Sequence, residues 1–246
     1  MTHAREILIK ENAYLVAYEG ARIFCRISNE AVSARGRCFV ALSGDKTSRS
    51  MHRLMAAEPF RSLVPWEGTH IFWIEECFVP HRDPQSRYGT AFLDFLSRVP
   101  IPPSNIHPIP VDSPPEEAAV RYEREIMRTL LLTGDGIPSF DAVFLGLDPE
   151  GGMTVPHYVA EGERDSPCLI VSASGGESPV DRLILGHFFL NHAKNIVFFA
   201  AGQGKAHVVR DVLSATDSIH RSSLIQPYHG TVLWILDQDA TSVLRP

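Results

Sequence analysis

The sequence predicts an α/β fold, a mostly parallel sheet with helices on both faces. Three observations predict it. Continuous apolar runs recur along the chain, helical periodicity fills the stretches between them, and 44% apolar with 21% charged residues is ordinary for a globular chain. Unbroken apolar runs are the pattern of strands covered on both faces. Right-handed crossovers would then put the connecting helices on both sides of the sheet. At 246 residues the chain can bury a sizeable core without metal or disulfide staples.

The elements follow in order. From Glu11 to Ala34, apolar residues return at Leu15, Tyr18, Ala21, Ile23, Phe24, Ile27 and Ala31, close to a 3.6 period, so a helix is expected until Gly36 breaks it. Cys38–Leu42 reads as a buried strand, followed by a helix over about Ser48–Ala57. His70–Ile74 is a second strand, Pro80–Ser86 a polar loop and Ser86–Leu96 a helix. Seven prolines between Pro100 and Pro115 exclude regular structure there. A helix is expected from Glu116 to about Leu132 and a strand over Ala142–Leu147, then a loop at Gly151-Gly152. Leu169–Val171 reads as a short strand, Pro179–Asn191 as a helix, Asn195–Ala200 as a strand, Lys205–Ala215 as a helix and Thr231–Leu236 as the last strand. Because the rhythm continues across the proline-rich stretch, residues 1–246 are read as one domain.

Charge and cysteine usage narrow the function. A net charge of −6 argues against a bulk nucleic-acid binder. Cys25, Cys38, Cys77 and Cys168 form no C-x-x-C pair and no zinc-like spacing with histidine, so reduced thiols are expected and no metal. No stretch reaches about 18 consecutive apolar residues and no signal peptide is visible, so neither a membrane span nor export is expected and the location is read as cytoplasmic. The eleven histidines make no H-E-x-x-H site and are read as mostly surface or capping residues.

In open α/β sheets, ligands bind beyond the carboxyl ends of strands. Ser43-Gly44-Asp45-Lys46-Thr47-Ser48 follows the first predicted strand and opens a helix, so its N–H groups could face an anion; a plain strand-to-helix turn would use the same residues. Glu75 and Glu76 are adjacent on extended backbone, point to opposite faces and make a poor acid–base pair. Cys77 beside them should hold its proton, which argues against a cysteine nucleophile. Glu150-Gly151-Gly152 could let a ligand approach the backbone; a glycine-rich surface turn would use the same residues. Lys205, after Gly202-Gln203-Gly204, stands at a helix start where a cation is unhelpful to the dipole, which favours a ligand role, although a solvated lysine is the commoner case. Asp141, Trp73 and Trp234 are read as structural.

Taken together, these segments resemble the 6-phosphogluconolactonases and, more distantly, the glucosamine-6-phosphate isomerases, over nearly the whole chain. Ala41-Leu42-Ser43-Gly44 with Thr47 is similar to the family's LSGGSTP phosphate loop, and Glu75–Pro80 stands at its DER-x-VP. Ser86, Tyr88 and Gly89 match SNYG, Phe140–Leu147 matches FDLVLLGMG, Gly202–Ala206 matches GxxKA, and Trp234–Asp237 with Ala240 matches WLLDxxA. The resemblance implies a Rossmann-like sheet, hydrolysis of the 1,5-lactone of 6-phosphogluconate in the pentose phosphate pathway, and no cofactor. The expected partner is a small-molecule sugar phosphate or lactone, with a protein partner as the other option.

The resemblance also implies the site. Ser43, Gly44, Thr47, Glu76, Gly151 and Lys205 stand at its retained positions. Departures gather there too. The family's general-base histidine is Gly152, which cannot take a proton, so Glu150 and His157 become the candidate catalytic residues. The DER arginine is Cys77, the arginine expected near an RITLT strand is read as Cys168, and the second loop glycine is Asp45. Arg87 could replace a lost cation if it points inward. Asp45 facing a phosphate about 4 Å away would be repelled by roughly 4 kcal/mol. It is therefore expected to turn outward, to pair with Lys46 or Arg49, or to mark a site that no longer takes phosphate. A non-catalytic binder and a hydrolase of a different lactone are the alternative readings.

Overall fold

A computed structural model describes residues 5–130, 136–147, 167–171, 180–214, 225 and 227–244. Its centre is a seven-stranded sheet, every pair parallel, in the order β1-β10-β9-β6-β2-β3-β5. These strands are β1 (Arg5–Lys10), β2 (Cys38–Leu42), β3 (Thr69–Trp73), β5 (Ile106–His107), β6 (Ala142–Gly146), β9 (Asn195–Ala200) and β10 (Thr231–Asp237). β2 and β6 are buried at every residue, as their unbroken apolar runs predict. A second sheet of three antiparallel strands joins β4 (Glu75–Cys77), β8 (Arg182–Leu185) and β7 (Cys168–Val171). It hangs from the end of β3, where Ile74 N–H donates to Leu42 O and Leu185 N–H to Ile74 O.

The helices are α1 (Ala13–Arg35), α2 (Lys46–Met55), α3 (Phe60–Leu63), α4 (Arg87–Asp94), α5 (Pro115–Thr129), α6 (His187–Asn191) and α7 (Ala206–Ser214). α1 opens on an Asn12 cap whose side chain accepts Leu15 N–H and ends at Gly36, as expected. It packs on α2, β10 and β2, and Phe24 reaches Phe144 while Phe144 stacks on Phe199. Trp73 and Trp234 are core residues, Trp234 stacking on Phe198 with centroids 4.2 Å apart. Asp141 is structural as read, accepting Phe39 N–H at 3.0 Å and pairing with Lys194 and Arg35.

Four expectations need correction. The stretch Pro179–Asn191 is not one helix: β8 and the short α6 occupy it, parted by Gly186. Regular structure does enter the proline-rich stretch, where Ile106–His107 pairs with β3. β1, ahead of α1, is an edge strand the sequence reading passed over. Several histidines also lie inside, since His52, His107 and His187 are buried.

From β2 the chain runs outward to β3 and β5 on one side, then returns to fill β6, β9 and β10 on the other. The order therefore reverses between β2 and β6. Loops leaving two adjacent strands in opposite directions open a crevice there, at the carboxyl ends.

Candidate functional site

The crevice is lined first by the loop after β2. Asp45 caps α2: its Oδ1 accepts Thr47 N–H at 2.8 Å and Ser48 N–H at 3.3 Å. Its Oδ2 accepts the Ser43 hydroxyl at 2.8 Å and the Ser48 hydroxyl. Ser43 Oγ in turn takes Gly146 N–H at 3.2 Å, which ties the loop to β6. A Cβ at Gly146 would lie 2.0 Å from Asp45 Oδ2, so only glycine fits there. Asp45 thus turns inward, and Arg49 is taken by Asp94 instead, at 2.7 Å.

Arg87 does point inward. Ser86 caps α4 by accepting Gly89 N–H at 2.9 Å, which sets Arg87 at the first helical position. The arginine's Cδ lies 2.5 Å from where a Gly44 Cβ would be, so side chain and loop are in contact. Its Nε donates to Glu75 Oε1 at 3.0 Å. Glu75 is buried, and its Oε2 has no hydrogen-bond partner among the described residues; Arg182 Nη1 stands 3.9 Å away, beyond hydrogen-bond reach. Burial pushes the Glu75 carboxyl up, the two arginines pull it back, and Asp45 adds to the rise.

The two glutamates diverge as the extended backbone requires. Glu76 is fully buried and holds the start of α4. Its Oε1 accepts Cys77 N–H at 2.9 Å and Arg87 N–H at 2.7 Å, and its Oε2 accepts Ser86 Oγ–H at 3.1 Å and Tyr88 N–H at 2.8 Å. The Cys77 thiol is pushed up chiefly by burial, with the neighbouring glutamates a lesser cause than sequence alone implied.

Arg182 escaped the sequence reading. It stands directly opposite Cys77 in the antiparallel β4–β8 pair, so both side chains share a face. Cys168 faces Leu185 at the other end of the β7–β8 pair from Arg182, its thiol pushed up to about 12 by burial. The signal was present: Arg182-Leu183-Ile184-Leu185 is itself an arginine-headed apolar run.

The third wall is the turn after β9. Gly202 has φ +93, and Asp237 at the end of β10 accepts its N–H at 3.0 Å through both carboxylate oxygens. The following 3-10 turn, Gln203–Lys205, sets Lys205 beyond the carboxyl end of β9, next to β6. Ser43, Gly44, Thr47, Glu76 and Arg87 thus gather around the β2 and β3 ends, with Lys205 on the β9 side. Glu150, Gly151, Gly152 and His157 lie outside the described residues. Among the described residues no group of three or more His, Cys, Asp or Glu could hold a metal ion, and no helix is long and apolar enough to cross a membrane.

Comparison with known proteins bears on this arrangement. A family model described as glucosamine-6-phosphate isomerases/6-phosphogluconolactonase matches residues 11–234. The 6-phosphogluconolactonase of Synechocystis sp. is 32% identical over 222 residues, which cover 88% of this chain and 89% of that protein. The human 6-phosphogluconolactonase is 32% identical over 218 residues, covering 86% and 82%. Among solved structures, the devB protein superposes with a TM-score of 0.86 at 26% identity, covering 98% of this chain and 100% of that one. The 6-phosphogluconolactonase of Trypanosoma brucei shares the fold, with a TM-score of 0.84 at 20% identity over 99% and 100% of the two chains. With the family model spanning nearly the whole chain, and relatives about a third identical along most of their length, this chain belongs to the glucosamine-6-phosphate isomerase/6-phosphogluconolactonase family.

Proposed function

We propose that the protein is a single-domain cytoplasmic hydrolase that opens 6-phosphogluconolactone to 6-phosphogluconate, a step of the pentose phosphate pathway. The observation that carries this reading is the near full-length similarity, at 32% identity, to proteins named for that reaction. The crevice is compatible with it. Arg87, Arg182 and Lys205 bring positive charge to the strand ends, where a phosphorylated, carboxylate-forming substrate needs it. Water adds to the ester carbonyl, the ring C–O bond breaks, and the proton lost by water ends on the freed hydroxyl. Glu150 or His157 would take that proton first, since glycine at 152 cannot. Ser43, Gly44, Thr47 and Gly151 would shape the pocket, and Glu76 would act by holding Arg87 in place.

One observation favours a second reading, binding without turnover as a pseudoenzyme: Gly152 stands where the resemblance puts the base. The deciding experiment is the rate of lactone hydrolysis against the spontaneous background. A positioned base contributes roughly 10²–10⁴-fold. A rate above background that Lys205→Ala abolishes supports the hydrolase. A rate at background, with 6-phosphogluconate still bound in calorimetry, supports the binder.

A further inference from the structure

The mouth of the β2–α2 loop is built to receive an anion, and the chain fills it with its own. Backbone N–H groups of Thr47 and Ser48 leave the first turn of a ten-residue helix, where the dipole is positive. The hydroxyls of Ser43 and Ser48, 2.8 Å apart and both buried, converge on the same point. All four donors end on one carboxylate, that of Asp45. Gly146 on the adjoining strand leaves space for that carboxylate and no more. An independent observation lies across Gly44. There Arg87 is pressed against the loop, yet its guanidinium is turned to Glu75 and not to Asp45. Arg87 is thus not spent on neutralising the loop's negative charge.

We propose that Asp45 is a specificity-determining residue: it is a tethered anion that occupies the loop's pocket, so that a ligand phosphate is refused by the loop and met by Arg87 instead. The proposal rests on the lactonase reading only for the choice of ligand. An untethered phosphate would have to displace a carboxylate that is covalently held in place and already satisfied by four donors. It would also approach against like charge in a half-buried site, where screening is weak.

The test is amide NMR of the wild type and Asp45→Ser titrated with inorganic phosphate and with 6-phosphogluconate, together with calorimetry. Serine is a favoured helix cap, so the variant keeps α2 while opening the pocket; Asp45→Asn, which caps without charge, is the second variant. In the wild type the Thr47 and Ser48 amide resonances stay in place at every ligand concentration. In Asp45→Ser they shift with phosphate, and 6-phosphogluconate binds at least tenfold more tightly, with gluconate changed by less than twofold. Wild-type Thr47 and Ser48 amides that move as far as the variant's overturn the proposal. So does a variant with no gain in phosphate-dependent affinity, including one that binds neither ligand. Turnover does not enter the readout, so a failed rate assay removes the lactonase reading and leaves this result standing.

Discussion

Glu75 and Glu76 show how far neighbouring residues of one type can part in role. Glu76 has four donors on its two oxygens and no exposure, so its carboxylate is the anchor from which α4, and with it Arg87, is hung. Removing a buried acceptor strands its donors, at about 1–3 kcal/mol for each group left unpaired. Glu76→Ala is therefore expected to lower unfolding free energy by about 3 kcal/mol or more in urea titration. A loss under about 1 kcal/mol would mean that water replaces the carboxylate and that Glu76 anchors nothing. Glu75 has the opposite character, a buried carboxyl with one oxygen unpartnered between two arginines. Their divergence was legible from strand alternation. The inward turn of Asp45 was not, because a side chain on a loop takes its direction from what packs on it, here Gly146 from a strand a hundred residues further on.

At the scale of elements, the strands that could be read were those with unbroken apolar runs, β2, β3, β6, β7, β9 and β10. Such runs are specified by burial on both faces. β1 carries the half-exposed Ile7 and Ile9 at a sheet edge, and β5 is two residues long, so neither leaves a pattern to read. β8 falls in a stretch expected to be helical, because a short apolar run carries no period of its own. The place of Arg182 depends on that strand's register opposite Cys77, which a helical pattern does not carry. The turn after β9 yields a prediction of the same kind. Asp237 holds Gly202 in a left-handed conformation and also accepts Ala240 N–H at 2.8 Å, so it positions the Lys205 turn from the adjacent strand. Asp237→Ala should cost about 2 kcal/mol, which is roughly 4–8 °C in Tm for a chain of this size. It should also weaken 6-phosphogluconate binding as much as Lys205→Ala does, with no further loss in the double variant. A double variant worse than both would show that Asp237 acts on something other than the Lys205 turn.

For the whole molecule, histidine burial sets the response to acid. His52, on α2, is 1% exposed, packs against the Phe95 ring at 4.9 Å, and neither ring nitrogen meets a hydrogen-bond partner among the described residues. Burial pushes its pKa down to about 4, against the pull of Asp45 and Asp94 and with the aid of Arg49 and Arg53. Burial likewise lowers His70 to about 4 and lowers His107, which are joined through Nδ1 and Nε2 at 3.0 Å, His107 being held in turn by Glu125 at 2.8 Å. A histidine with a depressed folded pKa binds fewer protons folded than unfolded. Its stabilising contribution is therefore complete above the unfolded value near 6.5 and is lost as pH falls from there toward about 4. For the fully buried His52 the loss reaches about 3 kcal/mol; the half-exposed His70 contributes less, because solvent screens its charge. Carboxylates held low by ion pairs, such as Asp94 and Glu19, lose their contribution only further down, below the ordinary carboxylate range. Urea unfolding at pH 7, 6 and 5 should thus show stability falling before the ion-paired carboxylates Asp94 and Glu19 titrate. His52→Leu, close in volume and without a proton to gain, should flatten that fall by the larger part while leaving the pH 7 value within about 1.5 kcal/mol. An unchanged slope in His52→Leu would assign the acid sensitivity to the His70–His107–Glu125 chain on β3, β5 and α5.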